Sequence, residues 1–441
     1  MNSLQEGIYY RKGSRPGHSL GIIFLRTNKN STAIEIGEII KRIWNRCQNL
    51  KNGILKDLEE TAIGYPNLYR DLTMLIGYGD KIFDLKGTLR KKPGMFSYGY
   101  RFAEPRKGGS SIFPDSDLTY HDDLTENHAA SDDIVIQFIS EKQFVTNQVI
   151  FELWHELLTE LKETDYDKKV SITKFYDGFR RDDNRSWLGF HDGLSNVKSE
   201  DRKGVIVIDR SHVQPDDQWL IEGTFMSFIR ILINMQKWWE QNRSKQEIMM
   251  GRDKVTGCPI IGSDGKKNIV MRGCPVPGTR EVTDKGNESF RNHPPYGLQS
   301  LPPGVSDEML KLSHIGAMRL VKRDSPWKKE ESAIFRQGFE FLEQSNHYPG
   351  LNVGLNFISF QNNPNRFFNT MTAWNKEKSI NTRSLNNKMD VSAKLEFNTY
   401  LRVLAAGIFV VPPYNPDEAF PGASIFFSRN EMKKGSRIWK R

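Results

Sequence analysis

The chain has 441 residues and a formal net charge of +9, and 37% of its residues are hydrophobic and 11% aromatic. This composition excludes a disordered chain and gives enough length for two domains or two packed halves. The Lys and Arg runs are short and scattered, whereas nucleic-acid binding uses clustered basic residues interleaved with aromatic ones. We therefore expect a solvated basic surface and no nucleic-acid partner.

The cysteines and the apolar runs exclude two further classes of protein. Cys47, Cys258 and Cys274 form no Cys-x-x-Cys pair, which argues against a zinc site built of thiolates. No apolar run has the length of a membrane span, and the N-terminus lacks the apolar stretch of a signal peptide. We expect a cytoplasmic protein without a membrane partner. The sequence does not decide the oligomeric state, and a homo-oligomer is one of the alternatives.

The first half of the chain has a predicted strand–helix–strand–strand–helix–strand order. Ile39, Ile40, Ile43 and Trp44 recur at helical spacing and predict one buried helix face. The predicted elements are a strand from Leu20 to Arg26, a helix from Thr32 to Leu50, strands from Asp71 to Tyr78 and from Asp133 to Ile139, and a helix from Asn147 to Leu161. A long insertion, residues 85–131, interrupts this order.

The second half repeats the same order. Its predicted elements are a strand from Gly223 to Met235, a helix from Arg243 to Met250, a strand from Val353 to Phe360, a helix from Asn365 to Trp374 and a strand from Ala406 to Val411. A Gly- and Pro-rich region, residues 257–305, lies within it. The repeat predicts an α+β fold of two ferredoxin-like halves packed sheet to sheet, residues 1–195 and 196–441.

The motif Gly189-Phe-His-Asp-Gly193 places one carboxylate between two glycines. Glycine lets the backbone turn sharply or approach a flat ligand closely, so Asp192 is the candidate functional group. A run of this kind is also an ordinary turn signal. We interpret the neighbouring His191 as structural, because in extended backbone its side chain points away from that of Asp192.

Two residues farther along the chain complete a candidate site. His314 lies between apolar residues and fits either a core histidine bonded to a carbonyl or the single axial ligand of a haem. Arg336 is the one charged residue of the apolar run from Ser332 to Phe339. A partly buried guanidinium of this kind is either a structural ion-pair partner or functional.

These residues and their order resemble the dye-decolorising peroxidases, and the resemblance covers most of the chain. The segments that carry it are Leu4–Ile8, Leu72–Phe83, Gly189–Gly193, Gly223–Arg230, Gly251–Pro259, Ser313–Ile315, Ile334–Gly338, Gly354–Gln361 and Gly407–Pro413. One departure is the stretch after His314, where the family often has further arginines and an Asn-Pro and this chain reads Gly316-Ala-Met-Arg-Leu-Val-Lys-Arg-Asp-Ser-Pro326. Arg319 and Arg323 are therefore the candidates to contact the haem propionates. The length, the insertions and the missing signal peptide resemble the longer intracellular branch of the family.

The resemblance implies a haem peroxidase, a donor:hydrogen-peroxide oxidoreductase with one haem b per chain. His314 would bind the iron, and Asp192 and Arg336 would assist peroxide reduction and formation of the oxidised haem. Leu355 and Phe357 would form a wall of the haem pocket, in the C-terminal half. Asp390 and Glu396 are candidate carboxylate partners of His314. Two other hypotheses stay open: a haem carrier or iron-handling protein of the same fold, and a non-haem interaction protein.

Dyes, phenolics and other large donors would not fit a pocket closed by Asp192. The resemblance therefore predicts that electrons reach the haem from the surface through an oxidisable aromatic side chain. The candidates are Trp238, Trp239, Trp327, Tyr348, Trp374 and Tyr400.

Overall fold

The computed structural model describes most of both predicted halves. The described residues are 3–55, 68–96, 119–120, 133–159, 169–191, 196–197, 199–255, 257, 260–263, 268–270, 313–314, 333–345, 350–367, 400–428 and 431. The strands are β1 (Ser19–Thr27), β2 (Thr73–Tyr78), β3 (Thr119–Tyr120), β4 (Ile134–Ser140), β5 (Val170–Phe179), β6 (Thr224–Ile233), β7 (Ile260–Ser263), β8 (Asn268–Val270), β9 (Phe335–Gln344), β10 (Leu351–Gln361) and β11 (Leu401–Val411). The α-helices are α1 (Ala33–Lys51), α2 (Gln143–Thr159), α3 (Ser199–Ile206), α4 (Met235–Trp239) and α5 (Arg243–Met250).

The first half forms a four-stranded antiparallel sheet in the order β2-β4-β1-β5. Helices α1 and α2 connect β1 to β2 and β4 to β5, which is the ferredoxin-like arrangement. Helix α1 begins where predicted, because Thr32 and Glu35 form a reciprocal capping box. Its predicted apolar face is buried.

The second half repeats this topology with β9-β10-β6-β11. Helices α4 and α5 follow β6, and a further helical turn begins at residue 364 after β10. The predicted helix from Asn365 to Trp374 begins here, and its later residues lie outside the described ones. Helix α5 has the predicted bounds.

The two sheets meet at both edges and pack against each other. Phe179 of β5 pairs with Glu340 of β9, and Tyr78 of β2 pairs with Val410 of β11. An aromatic core fills the space between the sheets, where the ring of Phe24 lies 5.1 Å from that of Phe228 and 5.8 Å from that of Phe409. The predicted fold of two ferredoxin-like halves packed sheet to sheet is confirmed. The boundary between residues 195 and 196 stays a prediction.

The sequence pattern did not mark β5 and β9 as strands. Most of the side chains of β5 are partly exposed, so its sequence lacks the apolar run that predicted β1, β2, β4, β6, β10 and β11. In β9, Arg336 and Glu340 interrupt the apolar pattern. In the part of the chain that the structure describes, no helix is long and apolar enough to cross a membrane.

Candidate active site

The register of the C-terminal sheet gathers three of the predicted site residues on one face. Arg336 lies opposite Ser359, and Phe357 lies opposite Gly338, two residues along each strand. Leu355 lies two residues before Phe357 on β10. Side chains two residues apart on a strand point to the same face, so Arg336, Leu355 and Phe357 share the face that is turned away from the space between the sheets. All three are half-buried.

His314 lies within reach of the charge of Arg336. Burial, and secondarily the positive charge of Arg336, lower the pKa of His314 from 6.5 to about 4. The residue as a whole is half-buried, but its Nδ1 atom is shielded from solvent, which accounts for the strong effect of burial. His314 is therefore neutral at physiological pH, the form in which imidazole binds a metal.

The motif that contains Asp192 begins in a tight hairpin. Arg185 and His191 pair across it, the Ser186 amide donates to the Phe190 carbonyl at 2.9 Å, and the Gly189 amide donates to the Ser186 carbonyl at 2.8 Å. Gly189 has φ +87°, a conformation that glycine adopts without strain. The first glycine of the motif therefore closes the turn. Asp192 itself lies outside the described residues.

Arg185 links this hairpin to the segment after α5. One guanidinium nitrogen donates to the carbonyls of Gly189, at 2.8 Å, and of Lys254. The other lies 2.9 Å from Nε2 of His191 and donates to the carbonyl of Val255 at 3.2 Å. The structure thus places His191 in contact with Arg185, and the structural role of His191 stays a prediction. No sequence pattern points to Arg185, because its partners are backbone carbonyls that only the fold brings together.

Trp187 connects the same hairpin to β9. Its backbone amide donates to the buried Glu340 carboxylate at 2.9 Å, and its indole N–H donates to the Phe341 carbonyl at 3.0 Å. Glu340 lies on the same face as Arg336, directly opposite Leu355. These contacts anchor the hairpin on the strand that carries Arg336.

Asn196 connects the far side of the motif to β9. Its side-chain amide makes hydrogen bonds with both the N–H and the C=O of Arg336. The described residues on either side of Asp192 are therefore both tied to β9, Trp187 at Glu340 and Phe341 and Asn196 at Arg336. Neither residue has a periodic or compositional signal in the sequence.

The family model described as Dyp-type peroxidase, C-terminal, matches residues 183–415, which is more than half of the chain. The chain belongs to the DyP-type peroxidase family. The matched range begins just before the hairpin of Arg185 and includes His314, Arg336, Leu355 and Phe357. The match confirms the resemblance and the expected enzyme class, a haem peroxidase.

Solved structures of DyP-type peroxidases share the fold. The enzyme from Streptomyces coelicolor is 16% identical with a TM-score of 0.62, and the alignment covers 97% of this chain and 98% of that one. An oxyferrous complex of DtpA from Streptomyces lividans gives 16% identity and a TM-score of 0.62, with 96% and 98% covered. A DypB variant from Rhodococcus jostii RHA1, in complex with heme, gives 13% and 0.51, with 90% and 94% covered.

The residues of this DyP-type peroxidase fit a haem held by one axial histidine. The candidate ligand of the iron is the neutral imidazole of His314, and the guanidinium of Arg336 lies close enough to act on it electrostatically. Leu355 and Phe357 add apolar side chains on the face that carries Arg336. An apolar wall with one imidazole and one cation suits a flat, largely apolar macrocycle with an iron at its centre.

Several predicted residues lie outside the part of the peroxidase that the structure describes. They are Asp192, Arg319, Arg323, Asp390, Glu396, Trp327, Tyr348 and Trp374. Among the predicted aromatic residues, Trp238 and Tyr400 are buried and their rings lie 5.3 Å apart, whereas Trp239 is 70% exposed. The ring of Phe190, next to His191, lies 6.4 Å from that of Trp238.

Proposed function

We propose that this peroxidase reduces hydrogen peroxide and oxidises dyes, phenolics or other organic donors, with one haem b per chain bound through His314. The observation that carries the proposal is a neutral, half-buried imidazole, that of His314, within electrostatic reach of the guanidinium of Arg336. The bound haem supplies the redox chemistry that transfers electrons from the donors to peroxide.

Asp192 and Arg336 are the residues that we assign to the peroxide. Cleavage of the O–O bond requires a proton to leave one oxygen and to reach the other. Asp192 accepts this proton as a base and returns it as an acid. Arg336, which is always cationic, favours the ionised form of Asp192 and stabilises the negative charge that develops on the leaving oxygen.

Three further residues complete the proposed pocket. Leu355 and Phe357 exclude water from the face that carries Arg336, so that the charges of Asp192 and Arg336 act through a medium of low dielectric constant. Arg319 is proposed to pair with a haem propionate, because guanidinium binds carboxylate through two parallel hydrogen bonds.

Electrons from large donors are proposed to enter through an aromatic pair next to the site. Trp238 lies between Phe190, in the motif that contains Asp192, and Tyr400. Trp239 follows Trp238 in the chain and is exposed, so it provides a contact point for a donor too large for the pocket.

Three variants test the assignment of the haem site. His314→Ala should abolish the Soret band of the purified protein or shift it to that of a weakly bound haem. Asp192→Asn and Arg336→Ala should keep the band and slow the reaction with peroxide, measured by stopped flow, by on the order of 100- to 1,000-fold. Full peroxide reactivity in both would contradict the catalytic assignment. A bound haem without peroxidase turnover in the unmodified protein would point to the haem carrier instead.

The proposed path of electrons through Trp238 leads to a separate prediction. Trp238→Phe should lower the turnover of a bulky dye and leave the rate of the reaction with peroxide unchanged, because phenylalanine fills most of the space but is not oxidised. Steady-state dye oxidation and stopped-flow peroxide reactivity measure the two steps. An equal loss in both would show that Trp238 serves the pocket and not the electron path.

A further inference from the structure

The side chain of Asn196 forms hydrogen bonds with the backbone of Arg336 in the way that a neighbouring strand would. Its side-chain Nδ2 donates to the Arg336 carbonyl at 2.7 Å, and its Oδ1 accepts from the Arg336 N–H at 3.0 Å. Both backbone groups of Arg336 thus point away from β10, which makes Arg336 and Ser359 a non-hydrogen-bonded pair of the β9–β10 ladder. The one described pair between β5 and β9 is Phe179–Glu340, so at Arg336 a single side chain takes the place of a strand.

A second contact fixes the same segment on β9. Arg202 is buried, and its Nε donates to the carbonyl of Val197 at 3.0 Å. Its guanidinium lies 5.2 Å from the centre of the Phe335 ring, a cation–π contact with the residue before Arg336. Asn196 Oδ1 also accepts from the Val197 amide at 2.9 Å, which orients its own side chain. Asn196 therefore has little freedom to move relative to Arg336.

The other end of the motif is fixed independently. His191 contacts Arg185, which also donates to the carbonyls of Gly189 and Val255. Asp192 lies in the connection of residues 192–195, between His191 and Asn196.

We propose that Asn196 is a positioning residue of the peroxidase, which fixes the backbone of Arg336 and thereby the place of its guanidinium. This inference rests on the proposed function, because it concerns one of the two groups assigned there to the peroxide. A primary amide is needed for this task, since it donates and accepts at once, whereas a carboxylate only accepts. Misplacement of a reacting group by about 1 Å can cost on the order of 100-fold in rate.

The test uses the haem-loaded protein with three variants of Asn196. Asn196→Ala loses both hydrogen bonds to Arg336, Asn196→Asp loses the donor, and Asn196→Gln keeps both groups on a side chain one methylene longer. We expect the peroxide rate constant to fall by on the order of 10- to 100-fold in Asn196→Ala, less in Asn196→Asp and least in Asn196→Gln. Hydrogen exchange of the Arg336 amide, measured with and without haem, should speed up in the same order.

Asn362→Ala is the matched control. Asn362 is equally an asparagine that ties a segment to the sheet: it is buried, donates to the Gly204 carbonyl at 2.9 Å and accepts from Arg366 at 2.6 Å, and it makes no contact with Arg336. It should leave both the peroxide rate and the exchange of the Arg336 amide unchanged. An equal fall in the peroxide rate in Asn362→Ala would mean general loosening of the fold and overturn the proposal.

Two results separate this inference from the proposed function. If Asp192→Asn and Arg336→Ala lower the peroxide rate but Asn196→Ala leaves it within twofold of the unmodified protein, the positioning role is wrong and the proposed function stands. If neither of the first two variants changes the rate, the proposed function fails. Should Asn196→Ala not fold, the order of Asn196→Asp and Asn196→Gln in rate and exchange still decides the question.

Discussion

His314 is kept neutral by its surroundings, and this has a measurable consequence for stability. Its pKa is 6.5 in an unfolded chain and about 4 in the folded one, owing to burial and to the charge of Arg336. Between these two values the unfolded state binds more protons than the folded state, so acid favours unfolding. The contribution of His314 to stability is thus present above pH 6.5 and is lost progressively as the pH falls from 6.5 to about 4.

Denaturant unfolding of the haem-free protein tests this linkage. Lowering the pH from 7 to 5 should cost about 2 kcal/mol through His314 alone. His314→Gln, which cannot be protonated in this range, should lose that much less stability over the same interval. The same pH dependence in both proteins would show that other groups cause the acid sensitivity.

At the level of elements, the hairpin from Arg185 to His191 depends on one backbone conformation. Gly189 has φ +87°, and a Cβ added there would meet the Lys254 side chain only at ordinary contact distances of 3.5 Å or more. The cost of a larger residue therefore comes from the backbone and not from crowding.

Gly189→Ala should lower the free energy of unfolding by about 1–2 kcal/mol. It should also slow the reaction with peroxide, since the turn places the residues that follow it. Gly204→Ala is the control with the opposite sign: Gly204 lies within α3 with open space around it, so alanine should stabilise the protein by about 0.5–1 kcal/mol. Thermal unfolding of both variants gives the comparison.

Helix α1, Arg336 and Asn196 show what sequence patterns can and cannot predict. Ile39, Ile40, Ile43 and Trp44 predicted α1 because one buried helix face leaves a periodic trace. Arg336 was identified because a charge within an apolar run is costly unless it has a use. No sequence pattern predicted the role of Asn196, since its partner is the backbone of Arg336, 140 residues away along the chain, and asparagine is a common loop residue.

At the level of the whole molecule, the N-terminal segment links the two halves where their sheets meet. The segment Leu4–Ile8 resembles the opening strand of the family, yet in this structure it is not a strand. The preceding residue, Ser3, forms a single bridge with Tyr414. Side-chain amides hold it instead. Gln137 of β4 donates to the Gly7 carbonyl at 3.2 Å, and Gln337 of β9 donates to the same carbonyl at 2.9 Å. The Gly7 carbonyl thus accepts hydrogen bonds from one strand of each half.

Gln5 supports the seam between β2 and β11, which otherwise has one described pair, Tyr78 with Val410. Its buried amide accepts from the Ile76 N–H at 2.9 Å and donates to the carbonyls of Ile76, at 3.0 Å, and Pro412, at 2.8 Å. Since the buried partners of a removed side chain lose their hydrogen bonds, Gln5→Ala should lower the free energy of unfolding by about 3 kcal/mol or more.

The neighbouring Glu6 provides the control for the seam. Glu6 pairs with Lys51 at the surface, and its side chain is 53% exposed, so Glu6→Ala should change stability by less than about 1 kcal/mol. Denaturant unfolding followed by tryptophan fluorescence measures both variants. If the seam joins the halves into one cooperative unit, Gln5→Ala should shift a single transition to lower denaturant. A second transition would instead show that the two sheets unfold separately once the amide of Gln5 is lost, and equal effects of the two variants would mean that the buried amide adds nothing to the seam.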